Sequence, residues 1–259
     1  LRPLLSAFVV ARDEASRLGA CLASLQGVDE LVVVDHASTD ATSDVALAAG
    51  ARVERAAASY GMGALRANAH ASMRGVWTLF LDADERLPEG GIERLRARLL
   101  DTPEAVSALR LPFRNRLGTR WLRFGGYWPA RRVRIYRTDG ASWSERARVH
   151  ERLSPAPGRT VDLDALVVEH STYRDLAHAR EKLTRYARAA AQQDFEAGRH
   201  PAWGRALARL TWRCFRDLFL RGGLLMGPLG ARLAALQAQA TLHRERALAS
   251  AWEKARRDS

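Results

Sequence analysis

The stretch Val76-Trp77-Thr78-Leu79-Phe80-Leu81-Asp82-Ala83-Asp84-Glu85 decides how this chain is read. Its first six residues carry no charge, the pattern of a strand buried on both faces. Two carboxylates one residue apart close it. At a strand end such a pair points roughly the same way. Hard oxygen ligands of that kind hold Mg²⁺ or Mn²⁺, which also takes oxygens from a bound diphosphate. On this pattern alone, an acidic strand-to-helix turn is the plainer explanation.

Toward the N-terminus the same signal recurs. Leu4 to Val10 and Leu31 to Val34 are short apolar runs, and Ala51 to Arg55 is a weaker one. Between them lie helical patterns. Ala15 to Gln26 carries Leu18, Cys21, Leu22 and Leu25 on one stripe, Thr42 to Ala49 stops at Gly50, and Ala64 to Arg74 follows. Strands alternating with helices predict a doubly wound, mostly parallel α/β sheet. Such sheets bind ligands outside the carboxyl ends of their strands. The loops there are Ala11-Arg12-Asp13-Glu14, Asp35-His36-Ala37-Ser38-Thr39-Asp40 and Asp82-Ala83-Asp84-Glu85. Part of the second caps the next helix, which leaves Asp35 at the strand end to read a base or ribose. Gly61-Met62-Gly63-Ala64-Leu65-Arg66 opens a helix with an Arg, and both features favour phosphate.

The rhythm stops after the first hundred residues. Val106 to Val168 mixes short strand-like pieces with turns, and from Tyr173 helices dominate, broken at 198–201 and around 222–228. Residues 1–172 are therefore expected to form one α/β domain, regular over about 1–100 and irregular over about 101–172, and residues 173–259 a helical C-terminal region.

The chain has 259 residues and a formal charge of +12. That length is ample for a buried core, and no apolar run approaches the ~20 residues that span a bilayer. No signal peptide pattern opens the sequence, and Cys21 and Cys214 suggest neither disulfide nor zinc, so a reducing cytosol is the expectation. Only Lys182 and Lys254 are lysines. Residues 199–259 hold 12 basic and 4 acidic side chains, and the span Arg110 to Arg137 has nine Arg and no acid. This suits nucleic acid, and equally an enzyme for phosphorylated substrates at an anionic membrane. From Trp203 to Arg221, apolar Trp203, Leu207, Leu210, Cys214 and Leu218 recur beside an Arg stripe, the pattern of a core-facing helix or of one lying in an anionic interface.

The four N-terminal segments, in this order and spacing, resemble family 2 glycosyltransferases of the GT-A fold. Gly125-Gly126-Tyr127-Trp128-Pro129, Arg134-Ile135-Tyr136-Arg137, Val149-His150-Glu151 and His170 to Tyr186 look like the branch that includes lipopolysaccharide-core β-glucosyltransferases of Gram-negative bacteria. The family usually has Asn where this chain has Asp13 and Gly where it has Ala37.

The resemblance implies a GT-A, Rossmann-like sheet flanked by helices as the catalytic domain over 1–172, its donor half about 1–100 and its acceptor half about 101–172, with a helical C-terminal appendage over 173–259. It implies transfer of a hexose, with inversion, from a nucleotide-diphosphate sugar of UDP type to a lipopolysaccharide-core or other lipid-linked saccharide, assisted by Mg²⁺ or Mn²⁺. Ala11, Arg12, Glu14, Asp35, Arg66, Asp82 and Ala83 would line the nucleotide sugar, Asp84 and His170 the metal, and Trp128, Arg134, Arg137 and His150 the acceptor or phosphate. Glu151 would be the general base, with Glu85, Asp139 and Glu145 as alternatives. The implied location is cytoplasmic, peripheral on the inner membrane's cytoplasmic face, with no nucleic-acid partner. Two other classes fit the residues less well: a basic nucleic-acid-binding module, which leaves Asp35, Asp82 and Asp84 without a role, and a nucleotidyltransferase using the same carboxylates.

Overall fold

The computed structural model describes residues 2–144 and 153–257. The chain divides into two compact units, Leu1–Phe113 with Ala130–His170, and Arg114–Pro129 with Ser171–Ser259.

The first unit opens with β1 (Leu5–Ala11), α1 (Ala15–Ala23), β2 (Glu30–His36), α2 (Thr42–Ala48), β3 (Arg52–Ala56), α3 (Met62–Ala71) and β4 (Trp77–Asp82). A two-residue turn leads to β5 (Glu85–Arg86), followed by α4 (Gly91–Leu100). Next come β6 (Val106–Leu117), which continues into the second unit, and β7 (Arg120–Trp121), which belongs to that unit. The first unit resumes with β8 (Ala130–Arg137), β9 (Ser142–Trp143), β10 (Leu153–Ser154), β11 (Arg159–Asp162) and the start of β12 (Val168–Tyr173). The sheet order is β3-β2-β1-β4-β8-β6-β12-β5, with β11 beside β6. The first four strands are parallel, whereas β8 runs antiparallel to both β4 and β6, so the sheet is mixed.

Every residue of β1 is buried, as a central strand covered on both faces requires. Alternate side chains enter opposite layers. Leu5, Ala7 and Val9 join Leu18, Leu22, Leu25, Ile92 and Leu95 on one face. Phe8 and Val10 join Phe80, Leu65, Tyr136 and Trp143 on the other. Asp82 has the parity of Phe80, so its carboxylate emerges on the layer that α3 covers.

The second unit is built on α5 (Leu176–Glu196), α6 (Trp203–Phe215) and α7 (Pro228–Arg257). Asp175 caps α5 by accepting from the His178 N–H at 2.7 Å. A wide π-type turn, Arg216–Leu220, and a tight 3₁₀ turn, Gly223–Met226, join α6 to α7. Leu122, Tyr173, Ala179, Met226 and Leu233 form its core. Buried Asp194 is held by Arg199 at 3.0 Å and by Arg244 at 2.7 Å, and buried Glu245 by Arg209 at 2.8 Å. No helix among the described residues is long and apolar enough to cross a membrane.

Candidate functional site

Register assembles the site. β1 lies between β2 and β4, with Ala11 opposite Asp35 and Val10 opposite Asp82. Neighbouring strands lie ~4.8 Å apart, so three strands that are distant in sequence end side by side. The next strand adds Arg55, the register partner of Asp35.

The first two loops are tied together. Asp13 accepts from the Thr39 N–H at 2.7 Å, Asp40 from the Ala15 N–H at 3.1 Å, and Thr42 Oγ1 from the Glu14 N–H at 2.9 Å. Asp13 and Ala37 both have positive φ, 52° and 51°. Asparagine and glycine adopt that region readily, which gives a physical reason for the residues usual in the family pattern at these two turns. The aspartate makes use of its side chain there, whereas the alanine carries strain of about 1–2 kcal/mol. Asp35 accepts from the Ser38 N–H at 2.9 Å and from the Ser43 hydroxyl. Burial works against its charge, but these bonds and Arg55 outweigh it and hold its carboxyl below the usual range. Asp35, Ser38, Ser43, Arg55 and Ala57 are among the residues lining a concavity of about 540 Å³. Sequence reading missed Arg55, because only the register places it there.

At the end of β4 the two aspartates take different partners. Asp82 meets Arg66 from α3 at 2.6 Å and Arg134 from β8 at 3.3 Å. Burial opposes its ionisation, yet the two guanidinium groups prevail and hold its carboxyl below the usual range. Arg134 is itself buried. It donates to both oxygens of Glu85, at 2.9 and 2.6 Å, and its Cζ lies 4.6 Å from the centroid of Phe80 and 4.9 Å from that of Phe113. Arg66 lies over Phe80 and Trp143. Glu85 is thus the bidentate partner that fixes Arg134, a pairing that no sequence motif signals.

Asp84 instead faces His170. The register pairs His170 on β12 with Glu85 on β5, and its Nε2 stands 3.5 Å from Asp84 Oδ2. Donor atoms of Asp84, Glu85 and His170 all lie within 4.8 Å of one another. Two ligands each about 2.1 Å from one ion stand at most ~4.2 Å apart, so carboxylate and imidazole at 3.5 Å fit a divalent cation. With both Glu85 oxygens on Arg134, Asp84 and His170 are the pair that would hold it. Beneath Asp82, the Cys21 thiol is buried, and that burial with the nearby Glu85, Asp82 and Asp84 pushes its pKa well up. It is an inert thiol.

The other expected residues are placed as follows. Arg12 lies exposed beside Asp13, Glu14 pairs with Arg17 at 2.6 Å, and Ala83 is buried in the β4–β5 turn. Arg137 is not brought to the strand ends. It pairs in register with Trp77, at the other end of β4, and donates to the carbonyls of Val106 and Pro103. Asp139 is bound by Arg2 at 2.6 Å. Trp128 belongs to the second unit and packs edge-on against Trp121 at 5.3 Å. His150, Glu151 and Glu145 lie outside the described residues. The acid-free Arg run is not one open basic patch: Arg110 meets Asp162, Arg131 meets Asp164, Arg132 lies over Phe113 and Arg123 over Trp121.

Residues 6–150 match the profile of glycosyl transferase family 2, and the chain belongs to that family of glycosyltransferases. Over 100 residues, 38% of this chain and 25% of the relative, it is 42% identical to the TPR repeat-containing protein Synpcc7942_0270 of Synechococcus elongatus. The chain therefore spans a quarter of that relative. It is 25% identical to the lipopolysaccharide core biosynthesis glycosyltransferase LpsC of Rhizobium meliloti, over 85% of this chain and 82% of that one. Among solved structures, S. aureus TarS 1–349 superposes with a TM-score of 0.50 at 17% identity, covering 99% of this chain and 92% of that chain. A likeness of that size concerns the fold: a sheet flanked by helices with a helical C-terminal region, the GT-A arrangement.

Proposed function

We propose that this protein is an inverting, metal-assisted glycosyltransferase that moves a hexose from a UDP-type nucleotide sugar to a lipopolysaccharide-core or other lipid-linked saccharide, at the cytoplasmic face of the inner membrane. The observation that carries the donor half is the convergence of Asp35, Asp82 and the Asp84–His170 pair at adjoining strand ends. The concavity beside Asp35 suits a nucleobase and ribose, with Arg55 at its edge. The likeness to LpsC and the sequence segments shared with the lipopolysaccharide-core branch support the acceptor.

Inversion is one displacement. The acceptor oxygen bonds to the anomeric carbon, the bond from that carbon to the β-phosphate oxygen breaks, and the nucleoside diphosphate leaves with the bonding pair. Held by Asp84 and His170, a divalent cation would neutralise charge on that leaving diphosphate as a Lewis acid. Arg66 and Arg134 hold Asp82 in place and keep it ionised. The acceptor proton must go to a base on the far side of the sugar. Glu151 takes that role here on the sequence resemblance alone.

The test is a transfer assay with a panel of nucleotide sugars and a truncated-core lipid acceptor. Wild type should turn over one UDP-sugar, while Glu151→Gln loses roughly 10²-fold or more in rate and still binds UDP. No transfer from any nucleotide sugar, or an unimpaired Glu151→Gln, contradicts the reading.

A further inference from the structure

Eight of the thirteen exposed large apolar side chains among the described residues fall between Trp203 and Leu225. Only part of the apolar stripe packs, with Leu210, Cys214 and Leu218 half-buried. α6 fully buries only Ala206. Leu207, Trp212 and Phe215 on α6 and Phe219 in the turn beyond it are 60, 54, 47 and 60% exposed. The aromatic members touch one another instead of a core, with ring centroids 6.1 Å apart for Trp212–Phe215 and 5.4 Å for Phe215–Phe219.

The patch continues onto a rigid knuckle. Gly222 and Gly227 take φ of 65° and 63°, which lets the chain reverse within the turn between them. A Cβ at Gly223 would come within 2.4 Å of the Asp217 carbonyl oxygen, and one at Gly230 within 1.9 Å of the Gly223 carbonyl oxygen. Met226 is buried in the unit's core, and the Gly125 N–H donates to the Arg221 carbonyl at 2.8 Å. So the backbone is pinned, while Leu220, Leu224 and Leu225 are held outward, Leu225 being 72% exposed.

The charges sort with it. Between Trp203 and Leu225 there are five Arg and one acid, Asp217. That carboxylate is buried and engaged by Arg216 at 2.9 Å and Arg221 at 3.2 Å, and Arg209 is held by Glu245 at 2.8 Å. The segment therefore exposes no carboxylate of its own, keeps a positive balance and presents Arg205 outward beside its apolar side chains. Exposed apolar side chains gathered in one short segment mark an interaction surface. Trp, Phe and Leu beside Arg, on an element that cannot span, are the composition of a helix lying in a lipid interface. Side chains that project from a knuckle suit a fluid apolar layer, into which each inserts singly, better than a preformed protein pocket.

We propose that the exposed face of α6 and the Leu220–Leu225 knuckle dock this protein on an anionic lipid bilayer, the knuckle leucines entering the acyl boundary while Arg205 and the positive balance of the segment meet the headgroups. Its meaning for catalysis rests on the lipid-acceptor reading above; the surface itself does not. The contact is interfacial and reversible, and falls with salt.

The test is flotation of the intact protein with phosphatidylglycerol-containing vesicles, with pure phosphatidylcholine vesicles as control, at low and high salt. Wild type should float with the anionic vesicles at low salt. The triple variant Leu220→Ser/Leu224→Ser/Leu225→Ser should bind them at least about tenfold more weakly, and Arg205→Glu should bind more weakly at low salt only. Both should keep wild-type UDP affinity, which separates this surface from the donor site. Wild type left unbound at low salt, or a triple variant that floats like wild type, overturns the proposal. So does a stable homodimer that the triple variant dissociates, because the patch would then be covered by a second copy.

Discussion

The strand ends of the first unit and the α6 face of the second treat the same residue types in opposite ways. At the strand ends, Arg134 is buried between Phe80 and Phe113 and bonded to Glu85 and Asp82, so charge is inside and fully paired. On α6 and its knuckle, Trp, Phe and Leu face outward while the one acid is inside. A buried ion network fixes geometry, because any member left alone is costly. An exposed apolar face fixes nothing within the fold, so its reason lies in what it touches. Stability and binding should therefore separate cleanly between the two regions.

Arg134→Met would break the contrast hardest. It strands Glu85 and Asp82 beside each other without their shared cation, and should cost about 3–5 kcal/mol in a denaturant titration. A variant as stable as wild type would mean the network does not hold the site.

Acid comes next. Burial opposes the charge of Asp29, Glu30, Asp35 and Asp82, but hydrogen bonds and Arg partners outweigh it, and all four sit below their usual carboxyl range. Folded, they bind protons less readily than unfolded. Their stabilisation is therefore complete above the unfolded value of ~4 and disappears as pH falls through the folded values. His70, pushed down by burial, adds a shallower loss that begins near ~6.5 by the same sign. Tm against pH should fall gently below neutrality and steeply below about 4. A Tm that holds down to about pH 3 would contradict the pairing.

Ala37→Gly should act in the other direction, relieving the positive φ against glycine's entropy cost for a net gain of about 0.5–1 kcal/mol. Smallest of all, Leu225→Ser should change stability by no more than about 0.5 kcal/mol, although it lies in the surface proposed to bind vesicles. A large loss there would mean the leucine is packed after all.

The parallel half of the sheet was legible because its strands are buried on both faces and end in polar loops. The Leu5–Ala11 and Trp77–Asp82 strands stand out because no charge interrupts them before the carboxyl end. The pairing of His170 with Asp84 was legible only through resemblance, since the β12–β5 register that creates it joins strands far apart in the chain. The place of Arg137 was not legible, because a motif carries no direction along the strand, and three residues from Arg134 it lies beside Trp77 at the opposite end of β4. The Arg run between 110 and 137 looked like a patch because Asp162 and Asp164, which neutralise part of it, come later in the chain. On α6 the period groups Trp203, Leu207, Leu210 and Cys214 on one face, yet Leu210 and Cys214 are half-buried while Leu207 and, off that stripe, Trp212 and Phe215 are exposed. A period shows that side chains share a face and not how much of it is covered.

We propose that Asp84 and His170 form, beside Asp35 and Asp82, a metal-dependent site for a nucleoside diphosphate. Calorimetric titration of UDP, with Mn²⁺ and with EDTA, on wild type and Asp84→Ala tests it most directly. Binding should need Mn²⁺ and weaken by roughly 10²-fold or more in the folded variant. UDP binding that is equal in EDTA, or undiminished in Asp84→Ala, would contradict it.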